Sequence, residues 1–149
     1  MKARDLLTAD EVKLVTGAIR EAEKDTSGEI RVHLDEKCPS APMERAEAVF
    51  NYLGMDKTKL RNGVLIYVAC QSKVFAIIGD KGINDAVPEN FWKDVTDVMK
   101  GFFSASRYAE GLTAAIRMTG EKLKAFFPYR SDDVNELPDE ISYGQTKSE

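Results

Sequence analysis

Residues 62–84 read NGVLIYVACQSKVFAIIGDKGIN. Two apolar runs, 64–69 and 74–78, flank the polar link Cys70-Gln71-Ser72-Lys73. Runs this short and this rich in Val, Ile and aromatics make buried strands, and so brief a link joins them as a hairpin. The second run opens into Gly79-Asp80-Lys81-Gly82-Ile83-Asn84-Asp85, where glycines permit tight turns and oxygen-bearing side chains gather. Such a rigid hairpin ending in an acidic glycine loop suits a cation or a polar ligand.

Outward from the hairpin, the periodicities alternate between helix and strand. Thr8 and Glu11 form a capping-box signature ahead of Val12, Val15, Ile19 and Ala22, which share one helical face, and Gly28 lies shortly beyond. Residues 29–35 alternate strictly, with Ile30, Val32 and Leu34 on one side and Glu29, Arg31, His33 and Asp35 on the other. That predicts a strand with one face in the core and the other partly wet. A second helix opens at Ser40 and Pro42, carries Met43, Ala46, Val49, Phe50 and Leu53, and stops at Gly54. A third runs from about residue 89 to 103 through Trp92, Val95 and Met99. A fourth runs from 108 to 127, with Leu112, Ala115, Ile116, Thr119 and Leu123 on its apolar face and Pro128 at its end.

The order α-β-α-β-β-α-α describes an α/β fold with a small mixed central sheet and helices packed against it. A helix joins strand 29–35 to strand 64–69, so these two run parallel by a right-handed crossover and strand 74–78 runs antiparallel to both. The exit at Gly79-Asp80 then lies where the other two strands begin. This groups Asp80, Lys81, Asn84 and Asp85 with Ser27, Gly28, Glu29, Arg61 and Asn62. Glu29, Asp80, Asn84 and Asp85 are the candidate metal ligands. Carboxylates and amides converging from separate segments suit Ca²⁺ or Mg²⁺, which prefer oxygen. The competing reading is that Asp80 and Asn84 only satisfy turn backbone groups.

The whole chain has 149 residues and a formal net charge of -4, carried entirely by residues 130–149, where six acids face two bases. One domain at 1–128 and an acidic, mobile tail at 129–149 are expected. The balanced body gives no electrostatic reason to expect nucleic acid. Cys38 and Cys70 are too few for a disulfide framework, and Cys70, following a strand, reads as a buried thiol. The start lacks an apolar signal region and no run approaches the roughly 18 apolar residues of a membrane helix. A monomeric, cytoplasmic protein without a membrane segment is expected, with an unknown protein as possible partner.

Familiar catalytic patterns are missing. Six residues separate Cys38 from Arg45, one more than cysteine-dependent phosphatases use, and no Asp-x-Asp run is present. G-x-x-x-x-G-K-[ST], H-E-x-x-H and G-x-S-x-G are also missing, and Asp80 to Asp85 lacks EF-hand spacing. His33, the single histidine, has no orienting partner near it in sequence and reads as solvent-facing or helix-contacting. Trp92, Phe102 and Phe103 at helical spacing read as core.

Over about residues 8 to 128 the chain resembles the TPM domain family, also called the TPM-phosphatase domain. The resemblance rests on Ser27-Gly28-Glu29-Ile30-Arg31-Val32, Asn62-Gly63-Val64-Leu65-Ile66-Tyr67-Val68-Ala69 and Phe75-Ala76-Ile77-Ile78-Gly79-Asp80-Lys81-Gly82-Ile83. It continues in Phe91-Trp92, Tyr108-Ala109-Glu110-Gly111-Leu112 and Phe126-Phe127-Pro128. The wording is nearest to the short soluble bacterial members. The resemblance implies a single-domain three-layer α/β/α sandwich, Rossmann-like, and divalent-cation binding in loops at one sheet edge. It also brings a weak acid phosphatase activity associated with a plant member. Two functions follow: a cation-binding interaction or assembly module, or a metal-dependent phosphomonoesterase of low activity. In the second, Lys81 or Arg61 neutralises phosphate and Asp80 or Glu29 positions water.

Overall fold

A computed structural model describes residues 2–130 and 139–144. Along the chain run α1 (Ala9–Glu23), β1 (Glu29–Asp35), α2 (Pro42–Tyr52), β2 (Gly63–Ala69) and β3 (Val74–Gly79). They are followed by the single turn α3 (Lys81–Asn84), then α4 (Lys93–Ser104), α5 (Tyr108–Phe126) and β4 (Ser142–Tyr143). The sheet order is β3-β2-β1-β4. β1 and β2 pair in parallel from Glu29↔Gly63 to Asp35↔Ala69, and β2 and β3 form the antiparallel hairpin from Val64↔Gly79 to Ala69↔Val74.

Strand alternation divides the core into two layers. Ile30, Val32 and Leu34 of β1 and Val64, Ile66 and Val68 of β2 meet Val15 and Ile19 of α1, Val95 and Met99 of α4, and Leu112 and Ile116 of α5. On the opposite face Leu65, Tyr67, Ala69 and Ala76 meet Ala46, Val49 and Phe50 of α2. The result is the expected three-layer α/β/α sandwich around a mixed open sheet. The Thr8–Glu11 capping box forms, satisfying two backbone donors that a helix N-terminus leaves without partners. Cys70 is buried and unpaired, as its place after β2 predicts.

Three expectations change. The polar face of β1 is not wet: Glu29, His33 and Asp35 are buried, and only Arg31 is partly exposed. Alternation in sequence reports polarity, not exposure, and here hydrogen bonds make a buried polar face tolerable. The third helix begins at Lys93, not near residue 89, because Phe91 and Lys93 first close turns onto the carbonyls of Pro88 and Asn90.

The third change concerns the tail. Residues 142–143 pair with His33 and Leu34 as a fourth strand, and Ile141 enters the main core. This part of the expected mobile tail belongs to the folded body, since it covers the β1 edge that β2 leaves open. Residues 131–138 and 145–149, on which the rest of that expectation falls, lie outside the described residues.

Candidate functional site

Asp80 leaves β3 at the sheet edge where β1 and β2 begin, as strand direction predicted. Its amide donates to the Gly63 carbonyl at 2.9 Å, and the Gly82 amide donates to the Arg61 carbonyl at 2.9 Å. Gly82 is obligatory there, since a Cβ would lie 2.3 Å from the Leu60 carbonyl oxygen. Two strands are thereby clamped to one turn. The Asp80 carboxylate also caps α3, accepting from the Lys81 amide at 2.7 Å.

Between this turn and α2 opens a groove of about 490 Å³. Glu47, Asn51, Asp80, Asn84 and Asp85 line it with oxygen, Arg61 and Lys81 with positive charge, and Phe50 and Ile78 with apolar surface. Asp80 is held by Arg61, whose Nε and Nη2 donate to the two carboxylate oxygens at 2.7 and 2.8 Å. That hydrogen-bonded carboxylate raises the guanidinium pKa further. Arg61 pays for this reach with a left-handed backbone, φ 51°, which a residue with a Cβ seldom adopts. Lys81 pairs with Asp85 at 2.8 Å, and the Asn84 amide nitrogen donates to the Gly79 carbonyl at 3.0 Å.

Glu29 stands apart from the other candidate ligands. It opposes Gly63 in the sheet, and Asp80 follows one strand further, so about 10 Å separates the two backbones. Gly63 has no side chain, and Phe50 and the Met55 carbonyl fill the space it leaves. Glu29 does not line the groove. Asp80, Asn84 and Asp85 do, and Glu47 and Asn51 join them from α2. Sequence reading missed those two because spacing along a helix does not reveal which sheet edge it crosses.

The ligand-type side chains of the groove are carboxylates and amides, whose oxygens are the kind Ca²⁺ and Mg²⁺ prefer, but Arg61 and Lys81 line it as well. Its arrangement is the self-neutralised one, with Arg61 and Lys81 already countering Asp80 and Asp85. Among the described residues, no three His, Cys, Asp or Glu side chains gather as a ready-made metal cluster.

A second polar cluster lies at the far end of β1 and β2. Asp35, fully buried, accepts from Tyr67 Oη at 2.6 Å and Arg45 Nε at 2.8 Å, and His33 Nε2 lies 2.8 Å from its other oxygen. Burial alone would raise the Asp35 carboxyl, but the bonds from His33, Arg45 and Tyr67 outweigh it and hold the pKa at about 2. Burial and the neighbouring carboxylate push the Tyr67 hydroxyl far above its ordinary value.

On its other side His33 Nδ1 meets Ser142 Oγ at 2.7 Å. The order Ser142–His33–Asp35 has the polarity of a hydrolytic triad, yet it is closed. His33 is 5% exposed, and Gly144 lies so near that a Cβ would sit 2.2 Å from the Asp35 carboxylate. The cluster fastens the C-terminal strand to β1. The His33 expectation is corrected accordingly: it is neither solvent-facing nor held by a helix, because its orienting partners come from β1 itself and from residue 142.

The TPM domain profile matches residues 1–122. Among solved structures, the NMR structure of the BA42 protein from the psychrophilic bacterium Bizionia argentinensis is 48% identical, with a TM-score of 0.90, covering 96% of this chain and 99% of that one. The N-terminal domain of a protein from P. gingivalis matches at 18% identity and TM-score 0.68, over 83% of this chain and 80% of that one. The N-terminal domain of the cg2496 protein from Corynebacterium glutamicum matches at 10% and 0.63, over 96% and 84% respectively. At those identities the last two speak for the fold alone. A search of curated proteins finds no match.

Proposed function

The chain belongs to the TPM-domain family, and from that premise we propose that it is a divalent-cation-binding interaction module whose site is the groove beside Asp80. One observation carries the reading: three carboxylates, Glu47, Asp80 and Asp85, and two amides, Asn51 and Asn84, line a single groove at the clamped end of the hairpin. Ca²⁺ or Mg²⁺ enters by taking over the Asp80 carboxylate from Arg61. The exchange trades one positive charge for two and returns a guanidinium to the surface, where a protein partner can meet it. Because the ion competes with a bidentate pair and meets unconverged ligands, its affinity is weak, roughly 10⁻⁴–10⁻³ M. Titrating the protein with Ca²⁺ and Mg²⁺ moves the amide signals of residues 79–86 and 47–51, and Arg61→Gln, lacking the competitor, binds more tightly. Silence in both segments at millimolar ion overturns the assignment.

The second reading, a metal-dependent phosphomonoesterase, draws on Arg61 and Lys81, which line the same groove and suit a phosphate. Among the described residues no Ser, Thr, Cys or His side chain lines it, so slow hydrolysis or none is expected. Turnover of p-nitrophenyl phosphate in Mg²⁺ that disappears in Asp80→Asn decides for the enzyme.

A further inference from the structure

A cavity of about 400 Å³ opens at the opposite end of the hairpin, between the carboxyl end of β2, the start of β3 and the turn that joins α4 to α5. Strand length places it roughly 20 Å from the Asp80 groove. Its size falls within the range of small-molecule sites, and the carboxyl end of a parallel strand is where open α/β sheets characteristically hold ligands.

The lining is amphipathic and of one sign. Phe75 meets Phe103 edge-on with centroids 5.4 Å apart, and Phe103 lies 5.2 Å from Tyr108, giving an aromatic wall. Around it stand Lys73, Lys100, Ser104 and Ser106, with no Asp or Glu in the lining among the described residues. Like Lys13, Lys57 and Lys124, Lys73 and Lys100 have no ion-pair partner among the described residues, and of these five Lys73 and Lys100 line this cavity. Two uncompensated ammonium groups flanking one cavity in a chain of net charge -4 point to an anion supplied from outside.

Two tight turns meet at the same place. Among the described residues, three that are not glycine have positive φ: Arg61 lines the Asp80 groove, and Lys73 (55°) and Ser106 (59°) both line this cavity. Ser106 adopts it as the left-handed residue that closes α4, its amide bonded to the Phe103 carbonyl and that of Arg107 to Phe102, and Lys73 adopts it in the hairpin turn. Here the two turns set a lysine and a hydroxyl on opposite sides of one opening.

We propose that this cavity binds a small organic anion with a flat apolar body, its charged group between Lys73 and Lys100 and its ring against Phe75, Phe103 and Tyr108. Point-like ammonium donors accept a carboxylate or a phosphate alike, so the shared chemistry is an aromatic anion. The site stands independently of the cation groove.

The test is a chemical-shift titration of the full chain with benzoate, phenyl phosphate, inorganic phosphate and benzyl alcohol. Saturable millimolar shifts confined to residues 73–75 and 100–108 are expected with benzoate or phenyl phosphate, and their relative strength tells carboxylate from phosphate. Benzyl alcohol and inorganic phosphate, each lacking one half of the recognition, should bind at least tenfold more weakly. The double variant Lys73→Met, Lys100→Met should lose tenfold or more for the aromatic anions while leaving the Ca²⁺ response of residues 79–86 unchanged. Gly111→Ala supplies a second arm, since its Cβ would lie 2.5 Å from the Phe103 ring and drive that ring into the cavity. It should weaken the aromatic anions and leave the inorganic phosphate response alone. Benzyl alcohol binding as well as benzoate, undiminished binding in the double lysine variant, or no saturable shift with either aromatic anion overturns the proposal.

Discussion

Asp35 shows what a single residue decides in this fold. Its carboxylate has no exposed surface, yet three side chains from β1, α2 and β2 converge on it. A buried charge is tolerated when paired and fully hydrogen-bonded, and removing one member leaves the others desolvated without compensation. Asp35→Ala is therefore expected to destabilise the protein by about 3–5 kcal/mol, far beyond the cost of an ordinary surface substitution. Tyr67→Phe, which removes one hydroxyl and leaves Arg45 and His33 in place, should cost only about 1–2 kcal/mol. Urea unfolding of both variants checks this, and an Asp35→Ala cost under 1 kcal/mol would mean the network is slack. Nothing adjacent in sequence announced it. Asp35 reads as the last polar residue of an alternating strand, and its partners lie 10 and 32 positions away or, for His33, on the same supposedly wet face, with Ser142 reaching His33 from 109 positions off.

At the scale of elements, the hairpin and helices α1, α2 and α5 were legible because each carries its own period and its own stops. Capping box, proline start and alternating apolar runs are local, and local signals survive folding unchanged. β4 was not legible. Two residues cannot show alternation, and their strand character comes wholly from the β1 edge they cover. Ile141, just before them, is 8% exposed and packed in the main core. Ile141→Ala is thus expected to lose about 2–4 kcal/mol, as deletion of a buried aliphatic group does. Truncation before residue 139 should lose at least as much, because the His33–Ser142 bond and the cover over Asp35 go with it. Melting temperatures of the two variants measure this. Values equal to those of the parent would return residues 139–144 to the mobile tail that composition alone suggests.

The Asp80 edge was legible in position and partly in content. Strand directions placed it correctly, and Asp80, Asn84 and Asp85 do line one groove. The Arg61 pairing, the exclusion of Glu29 and the inclusion of Glu47 and Asn51 follow from side-chain geometry, which strand order does not encode. Across the molecule, Arg61, Lys73 and Ser106 take a left-handed backbone, Lys73 in the hairpin turn and Ser106 where α4 closes, and all three line a cavity.

For the molecule as a whole, two carboxyls set opposite limits on stability. The Asp35 carboxyl, held at about 2, lies below its ordinary value of 3.8, so its contribution is present above pH 3.8 and is lost as the pH falls through 2. Glu23 runs the other way. Burial, reinforced by a hydrogen bond with Asp139 and opposed by the one it accepts from the Ile30 amide, pushes it from 4.5 to about 9. The folded state therefore holds a proton there that the unfolded chain gives up. The contribution of Glu23 is complete below pH 4.5 and is lost as the pH rises through 9. Since Glu23 also caps the β1 edge beside the Asp139 segment, this proton ties α1 to the C-terminal segment. Stability should peak near pH 4–5, somewhat on the acid side of the usual optimum. Urea midpoints measured from pH 2 to 10 should fall on both sides of that maximum. Glu23→Gln, which cannot ionise, should flatten the alkaline limb and leave the acid limb intact, while Tyr67→Phe should bring the acid loss to higher pH. A parent profile that stays level between pH 5 and 9, or a Glu23→Gln profile as steep as the parent's, would show that no such proton is held.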